Sequence, residues 1–340
     1  MVKQAVLPGP RNLITDVDGL RVGNSDNTRI RSGVTVLVPE RPAVMSVDAR
    51  GGAPGTRDLS ALDPANSVQD FHGLVLSGGS VFGLDAAGGV TDALSARGIG
   101  LDLGPRALPV VPAAILFDLM NGGGKDWGDR SPYHDLGRDA VDRTTYDFPL
   151  GNVGAGLGAQ AGAIKGGLGS ASAVTADGLQ VGALVAVNSC GSVLMPDNVT
   201  PWAWMLEQHG EFGGLSAPDL PPGQGVSMAV DLPKGARLAQ NTTIAVVATN
   251  LDLTKAELKR MAIMAQDGLA RAIRPVHTPF DGDVVFAVAT GTKTPAEPRA
   301  VGLTDAGAIA ADCLARAVVR GVIAAETLGD GVAYRDLLRR

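Results

Sequence analysis

Short β-branched runs separated by glycine-rich turns mark the first third of the chain. Residues 34–38 (VTVLV) and 44–47 (VMSV) have the length and side-chain type of buried strands. Residues 50–56 are turn-rich. A third apolar run, 74–76, feeds Ser77-Gly78-Gly79-Ser80, and the spacing beyond it predicts a helix over 81–97 with Ala86, Ala87 and Ala93 on one face. A glycine turn opening a small-residue helix lets backbone approach backbone. Residues 120–152 hold no period and read as an irregular surface excursion carrying Trp127, Tyr133 and Tyr146. Residues 154–173 are dense in glycine and alanine, too broken for a long helix. Residues 181–187 (VGALVAV) predict a buried strand ending at Asn188-Ser189.

The main break lies at 213–240, where Pro218, Pro221, Pro222, Pro233 and several glycines predict a mobile connector. Order resumes at 243–249 (TIAVVAT), another strand. Thr254 and Glu257 have capping-box spacing, in which each side chain satisfies an orphan amide of the first helical turn. The helix that follows repeats Leu258, Met261, Ala262, Ala265, Leu269 and Ala272 on one face, and Pro275 ends it. A strand at 284–290 and an alanine-rich helix at 304–325 complete a β-α-β-α order. The whole predicts layers of helix and sheet.

Composition narrows the function. Glycine makes up 46 of 340 residues, about double the usual ~7%, without a collagen period. Hydrophobic content of 45% excludes a disordered chain. A net charge of -6 argues against nonspecific nucleic-acid binding and suits a substrate bearing an amine. Cys190 and Cys313 are too few for a disulfide scaffold or a zinc site. With no signal-peptide core and no apolar run of ~18 residues, the expectation is a soluble cytoplasmic protein without membrane contact.

Three glycine motifs invite a nucleotide or hydrolase reading and fail on context. Gly156-Leu157-Gly158-Ala159-Gln160-Ala161, with Asp177 beyond it, imitates a dinucleotide fingerprint, but Gly162, Gly166, Gly167 and Gly169 break the helix that motif needs. Residues 121–126 lack the spacing and the hydroxyl of a phosphate loop. Residues 78–83 are one residue off a nucleophile elbow, so Ser80 reads as structural. Four histidines without ligand spacing predict no metal, and no cofactor is expected.

Alone, Asn241-Thr242-Thr243 reads as a turn entering a strand. In the run Asn241 to Asn250, followed by His277-Thr278-Pro279-Phe280-Asp281-Gly282-Asp283, it resembles the processing site of the self-cleaving peptidase family of D-aminopeptidases and β-aminopeptidases. That family has a nylon-oligomer hydrolase branch that also uses threonine. The agreement continues in Asp48-Ala49-Arg50-Gly51-Gly52-Ala53, in residues 77–84, in Ala163-Ile164-Lys165 and in Val187-Asn188.

The resemblance implies one catalytic domain over 1–340, cut between Asn241 and Thr242 into an α chain 1–241 and a β chain 242–340. It implies a layered α-β-β-α sandwich, the N-terminal-nucleophile hydrolase fold shared with ornithine acetyltransferase-like proteins, and an oligomer, commonly a tetramer. Thr242 would be the nucleophile, its own freed amine the base. Asn188 matches an oxyanion-stabilising amide. Lys165 matches the lysine of the nylon-oligomer branch, where a cation lowers the amine's pKa or positions the hydroxyl. Asp281 and Asp283, placed on one side by alternation, divide the tasks of orienting Thr242 and holding a substrate amine. Phe117, in Ile115-Leu116-Phe117-Asp118, stands where the family has a tyrosine, so that hydroxyl is missing while the ring can still line a pocket. The expected activity is hydrolysis of short linear amides with a free amine, 6-aminohexanoate oligomers or aminoacyl peptides. A plain D-/β-aminopeptidase and an amine acyltransferase remain alternatives.

Overall fold

The computed structural model describes residues 6–218 and 241–339. In chain order its strands are Val6–Leu7 (β1), Leu20–Asn27 (β2), Ser32–Pro39 (β3), Val44–Ala49 (β4), Gly55–Arg57 (β5), Leu74–Ser77 (β6), Ala113–Ile115 (β7), Gln160–Ala161 (β8), Ile164–Lys165 (β9), Gly167–Thr175 (β10), Gln180–Asn188 (β11), Thr242–Leu251 (β12) and Val284–Lys293 (β13). The α-helices are Ala86–Ala96 (α1), Tyr133–Asp142 (α2), Lys255–Ala272 (α3), Arg299–Ala324 (α4) and Tyr334–Leu337 (α5).

A six-stranded sheet runs β1-β10-β11-β12-β13-β4, and a five-stranded sheet runs β2-β3-β6-β7-β5. Apolar side chains of both sheets, among them Leu37, Leu76, Leu184, Ile244 and Phe286, meet in one buried layer. The outer face of the larger sheet packs on α3 and α4 through residues such as Val185, Val247, Leu269 and Val318. The outer face of the smaller sheet packs on α1 and α2 through Val34, Val75, Val90 and Tyr133. Each sheet is thus covered on both faces, so central strands read as continuous apolar runs rather than alternating ones. All ten residues of β12 are buried. The layer order is α-β-β-α, as expected.

The capping box at Thr254 is formed: its side chain accepts from Glu257 N–H, and Glu257 accepts from Thr254 N–H at 2.8 Å. The α4 helix begins at Arg299, earlier than the apolar period suggests, and the helix predicted over 81–97 opens as a 3-10 turn at Ser80–Asp85 before α1.

One expectation is corrected. Residues 120–152 are not an irregular excursion throughout: they contain α2, and Tyr133 is fully buried with its hydroxyl donating to Ser32 Oγ at 2.9 Å. The glycine-dense stretch 154–173 holds no long helix, as expected, and includes most of β10. Its glycines admit α4 at backbone contact, since a Cβ at Gly169 would stand 1.9 Å from Ala317 O and one at Gly167 2.4 Å from Gly321 O. Of the predicted connector, 213–218 is turn and loop, and 219–240 lies outside the described residues.

Candidate active site

Sheet register assembles the site. Antiparallel pairing of β11 with β12 sets Asn188 opposite Thr242. Parallel pairing of β12 with β13 runs back to a bridge between Asn241 and Asp281. Thr242 therefore begins a central strand, between the end of β11 and the loop that leads into β13. Residues 50–53 close that loop from the other side: Arg50 N and Gly51 N donate to Asp283 O, and Ala53 N donates to Asp281 O at 2.9 Å.

The carbonyl oxygen of Asn241 is held from two directions. The Thr242 hydroxyl donates to it, and Gly282 N–H donates to it at 3.1 Å. Thr242 itself is only 4% exposed. A Cβ at Gly282 would lie 2.8 Å from Thr242 Oγ1, so glycine is what lets this amide reach the Asn241 carbonyl beside that hydroxyl.

Both aspartates of the loop are buried and fully engaged. Asp283 accepts from Thr243 N at 2.7 Å and from His277 N at 3.0 Å, and its second oxygen lies 2.8 Å from His277 Nδ1. Asp281 accepts from Cys190 N at 3.0 Å, Thr278 N at 3.0 Å and Thr278 Oγ1 at 2.6 Å. Burial, and then the negative charge of Asp283, push the Asp281 carboxyl above its usual range. Asp283 thus ties the start of β12 to the loop, and Asp281 ties the loop to the end of β11. No hydrogen bond joins either carboxylate to the Thr242 hydroxyl among the described residues.

Asn188 accepts from Gln160 N at 2.9 Å and donates to Phe117 O at 3.1 Å. Lys165 sits on β9, 1% exposed rather than solvated, and its ammonium donates to Gly156 O at 3.0 Å and Gly166 O at 2.7 Å. Burial pulls its pKa down to about 7, with the charge of Asp118 opposing the fall. Lys165 makes no hydrogen bond to Thr242 among the described residues. The β8–β9 register sets it across from Gln160, whose N–H bonds Asn188.

A cavity of about 60 Å³ borders Asn241. Phe117, Asp118, Asn121, Gly158, Gln160 and Asn188 are in its wall. Three participants escaped sequence reasoning. Gly282 was legible only as the spacer between two aspartates, and His277 only as the start of the loop motif. Asp118 stood beside Phe117 in the quoted tetrapeptide, but nothing in the sequence shows that it is buried.

An uncharacterised aminopeptidase of Mycobacterium tuberculosis is 45% identical over 348 residues, covering 96% of this chain and 98% of its own length. A 6-aminohexanoate-oligomer endohydrolase of a Kocuria species is 29% identical over 330 residues, covering 92% of this chain and 86% of the relative. Among solved structures, a β-aminopeptidase of a Burkholderia species matches with a TM-score of 0.70 at 23% identity, over 98% of this chain and 95% of the other. The L-aminopeptidase D-Ala-esterase/amidase of Ochrobactrum anthropi, described as a variant of the Ntn hydrolase fold, matches at 0.67 and 23% identity, over the same shares. These two share the fold seen here. The sequence model of peptidase family S58 matches residues 12–333, nearly the whole length, and the chain belongs to that family.

Proposed function

We propose that this protein cuts itself between Asn241 and Thr242 and then hydrolyses amide bonds of short linear substrates that carry a free amine. The observation that carries the first step is the Asn241 carbonyl oxygen, which receives both the Thr242 hydroxyl and the Gly282 N–H. Thr242 Oγ1 attacks the Asn241 carbonyl carbon. Gly282 N–H faces the oxygen on which negative charge builds, where a fixed donor lowers the barrier most. The hydroxyl proton passes to the Thr242 nitrogen as the C–N bond breaks, leaving an ester that water hydrolyses. The product carries a free Thr242 amine beside its own hydroxyl.

In the processed enzyme that amine takes the hydroxyl proton as Thr242 attacks a substrate carbonyl, and returns it to the leaving amine. Water then releases the acyl group. Asn188, opposite Thr242, offers a side-chain amide to the second oxyanion once it is freed from Phe117 O. Lys165, with a pKa near 7, is available in both protonation states at neutral pH, and with its ammonium bonded to Gly156 O and Gly166 O it acts on the site through its charge rather than by contact.

The names of the relatives support both an aminopeptidase and an oligoamide hydrolase. The sharper expectation is 6-aminohexanoate oligomers. Intact-mass measurement of the purified protein tests the processing step, with fragments ending at Asn241 and beginning at Thr242 expected. A single uncut chain with full amidase activity overturns the proposal.

A further inference from the structure

Asp283 is held by its own loop as well as by the strand it serves. His277 Nδ1 lies 2.8 Å from Asp283 Oδ2, and the His277 backbone N–H donates to the same oxygen at 3.0 Å. The other oxygen, Oδ1, accepts from Thr243 N–H at 2.7 Å. An ionised carboxylate can only accept, so Nδ1 carries the ring hydrogen that points at it. The Asp283 side chain is 1% exposed and that of His277 18%, so little water competes for this bond. His277 holds a φ of +56°, a left-handed conformation in which asparagine, aspartate and histidine are the common exceptions to glycine.

The chain of bonds from His277 through Asp283 ends on the peptide that carries Thr242. The β12–β13 ladder starts at Ile244 and Val284, so at Thr243 the Asp283 carboxylate serves in place of a strand carbonyl. In the uncut chain Thr242 is also held from the other side, through Asn241, whose carbonyl receives Gly282 N–H. Cleavage removes that side. Thr242 is then joined to the chain only through its bond to Thr243, and the hydrogen bond from Thr243 N–H to Asp283 fixes the plane of that bond. Without the ring of His277, Asp283 loses a donor on Oδ2 that helps to hold its carboxylate toward Thr243.

We propose that His277 is a positioning residue for turnover: acting through Asp283, it fixes the Thr242–Thr243 peptide, and with it the direction of the nucleophile's hydroxyl and amine, once Asn241 has left. It touches neither the substrate nor the reacting atoms. A displacement of a reacting group by ~1 Å can cost about 100-fold in rate, so a support at this distance is enough to matter. The inference rests on the reading of Thr242 as the nucleophile of an amide hydrolase. It goes beyond that reading in giving His277 a role that grows on cleavage, because the uncut chain has a second hold on Thr242.

The test uses the full-length protein, with intact mass to follow processing and β-alanyl and 6-aminohexanoyl p-nitroanilide as substrates of the processed enzyme. His277→Ala should lower kcat by about 10- to 100-fold with KM within about twofold, while processing slows by less than about threefold. His277→Asn should bring kcat back to within about threefold of wild type, because its amide nitrogen stands as many bonds from Cα as Nδ1 does and asparagine accepts the left-handed backbone. His277→Gln carries its donor one carbon further out and should not recover. Full activity in His277→Ala, no recovery in His277→Asn, equal recovery in His277→Gln, or equal slowing of processing and turnover overturns the assignment. A crystal structure of processed wild type decides the matter even if the alanine variant does not fold. His277 Nδ1 and Thr243 N both bonded to Asp283 support the proposal, and a ring turned away from Asp283 overturns it. Wild type that is cut but cleaves neither anilide removes the hydrolase reading and this inference with it, whereas active wild type beside an unimpaired alanine variant removes this inference alone.

Discussion

Replacing Lys165 by methionine isolates the cost of burying a lysine beside the site. Its ammonium is 1% exposed, and burial lowers its pKa from the ordinary 10.5 to about 7. In the unfolded chain the group keeps its ordinary value. Between pH 7 and pH 10 the unfolded state therefore binds more protons than the folded state, and stability rises with pH. Above about 10.5 both states are neutral and the penalty is gone. Below 7 both are charged and it is fully present. At ~1.36 kcal/mol per unit, the lysine chain should gain about 3–4 kcal/mol relative to Lys165→Met as pH rises from 7 to 10. The methionine also leaves Gly156 O and Gly166 O without this donor, at about 1–3 kcal/mol each, but that offset does not depend on pH. The assay is urea unfolding of both proteins in a Thr242→Ala background, which keeps each subunit one polypeptide, at matched protein concentration. The quantity read is the difference in unfolding free energy at each pH. A difference that stays flat from pH 7 to 10, or one that moves against the lysine chain as pH rises, refutes the argument from burial.

Other outcomes follow from the same geometry. Thr242→Ala should purify as one uncut chain by intact mass, and a cut at 241/242 in that variant would falsify the assignment of its hydroxyl. Gly282→Ala puts a Cβ 2.8 Å from Thr242 Oγ1 and 2.7 Å from Ala53 O, so self-cleavage followed by mass spectrometry should slow by at least about tenfold. Processing at the wild-type rate would show that the Gly282 amide does not serve the carbonyl. Asp283→Asn turns an amide NH2 toward one of the donors now bound by Asp283, Thr243 N or His277 N. Thermal unfolding should register about 2–3 kcal/mol of lost stability, and an unchanged Tm would remove Asp283 from the frame of the site. Thr254→Ala deletes the helix cap and should cost about 1 kcal/mol by urea titration without touching processing.

Strong local patterns were readable along the chain. The apolar runs that became β11, β12 and β13 needed only hydrophobicity and length. The capping box of α3 needed only two residues at the right interval. The α2 helix escaped notice because it is short, its buried face includes the small residues Gly137 and Ala140, and it follows Pro132 after a glycine-rich loop. Most of β10 escaped because Gly-Leu-Gly-Ser-Ala-Ser-Ala carries almost no β-branched signal. Those small residues are there for α4, whose backbone lies against them, and a local window does not contain the reason.

The same division holds at the site. Thr242, Asn188, Lys165, Asp281 and Asp283 could be named from ordered motifs, because a resemblance preserves residue identity along the chain. Their partners could not. That Asp281 ties to Cys190 and Asp283 to Thr243 follows from which strands pair and in which register. Alternation placed the two carboxylates on one side as if free for catalysis, while the folded loop commits both to backbone donors.

By itself the sequence determined the layered α/β class, the order of the last strands and helices, and the threonine at the head of a buried strand, because these rest on hydrophobic pattern and residue identity. The tertiary structure decided the rest. It set Gly282 against the Asn241 carbonyl and buried Lys165 so deeply that its pKa falls to about 7. Each of these depends on groups far apart in the chain meeting where water is excluded, and exclusion of water is a property of the packed layers rather than of any segment.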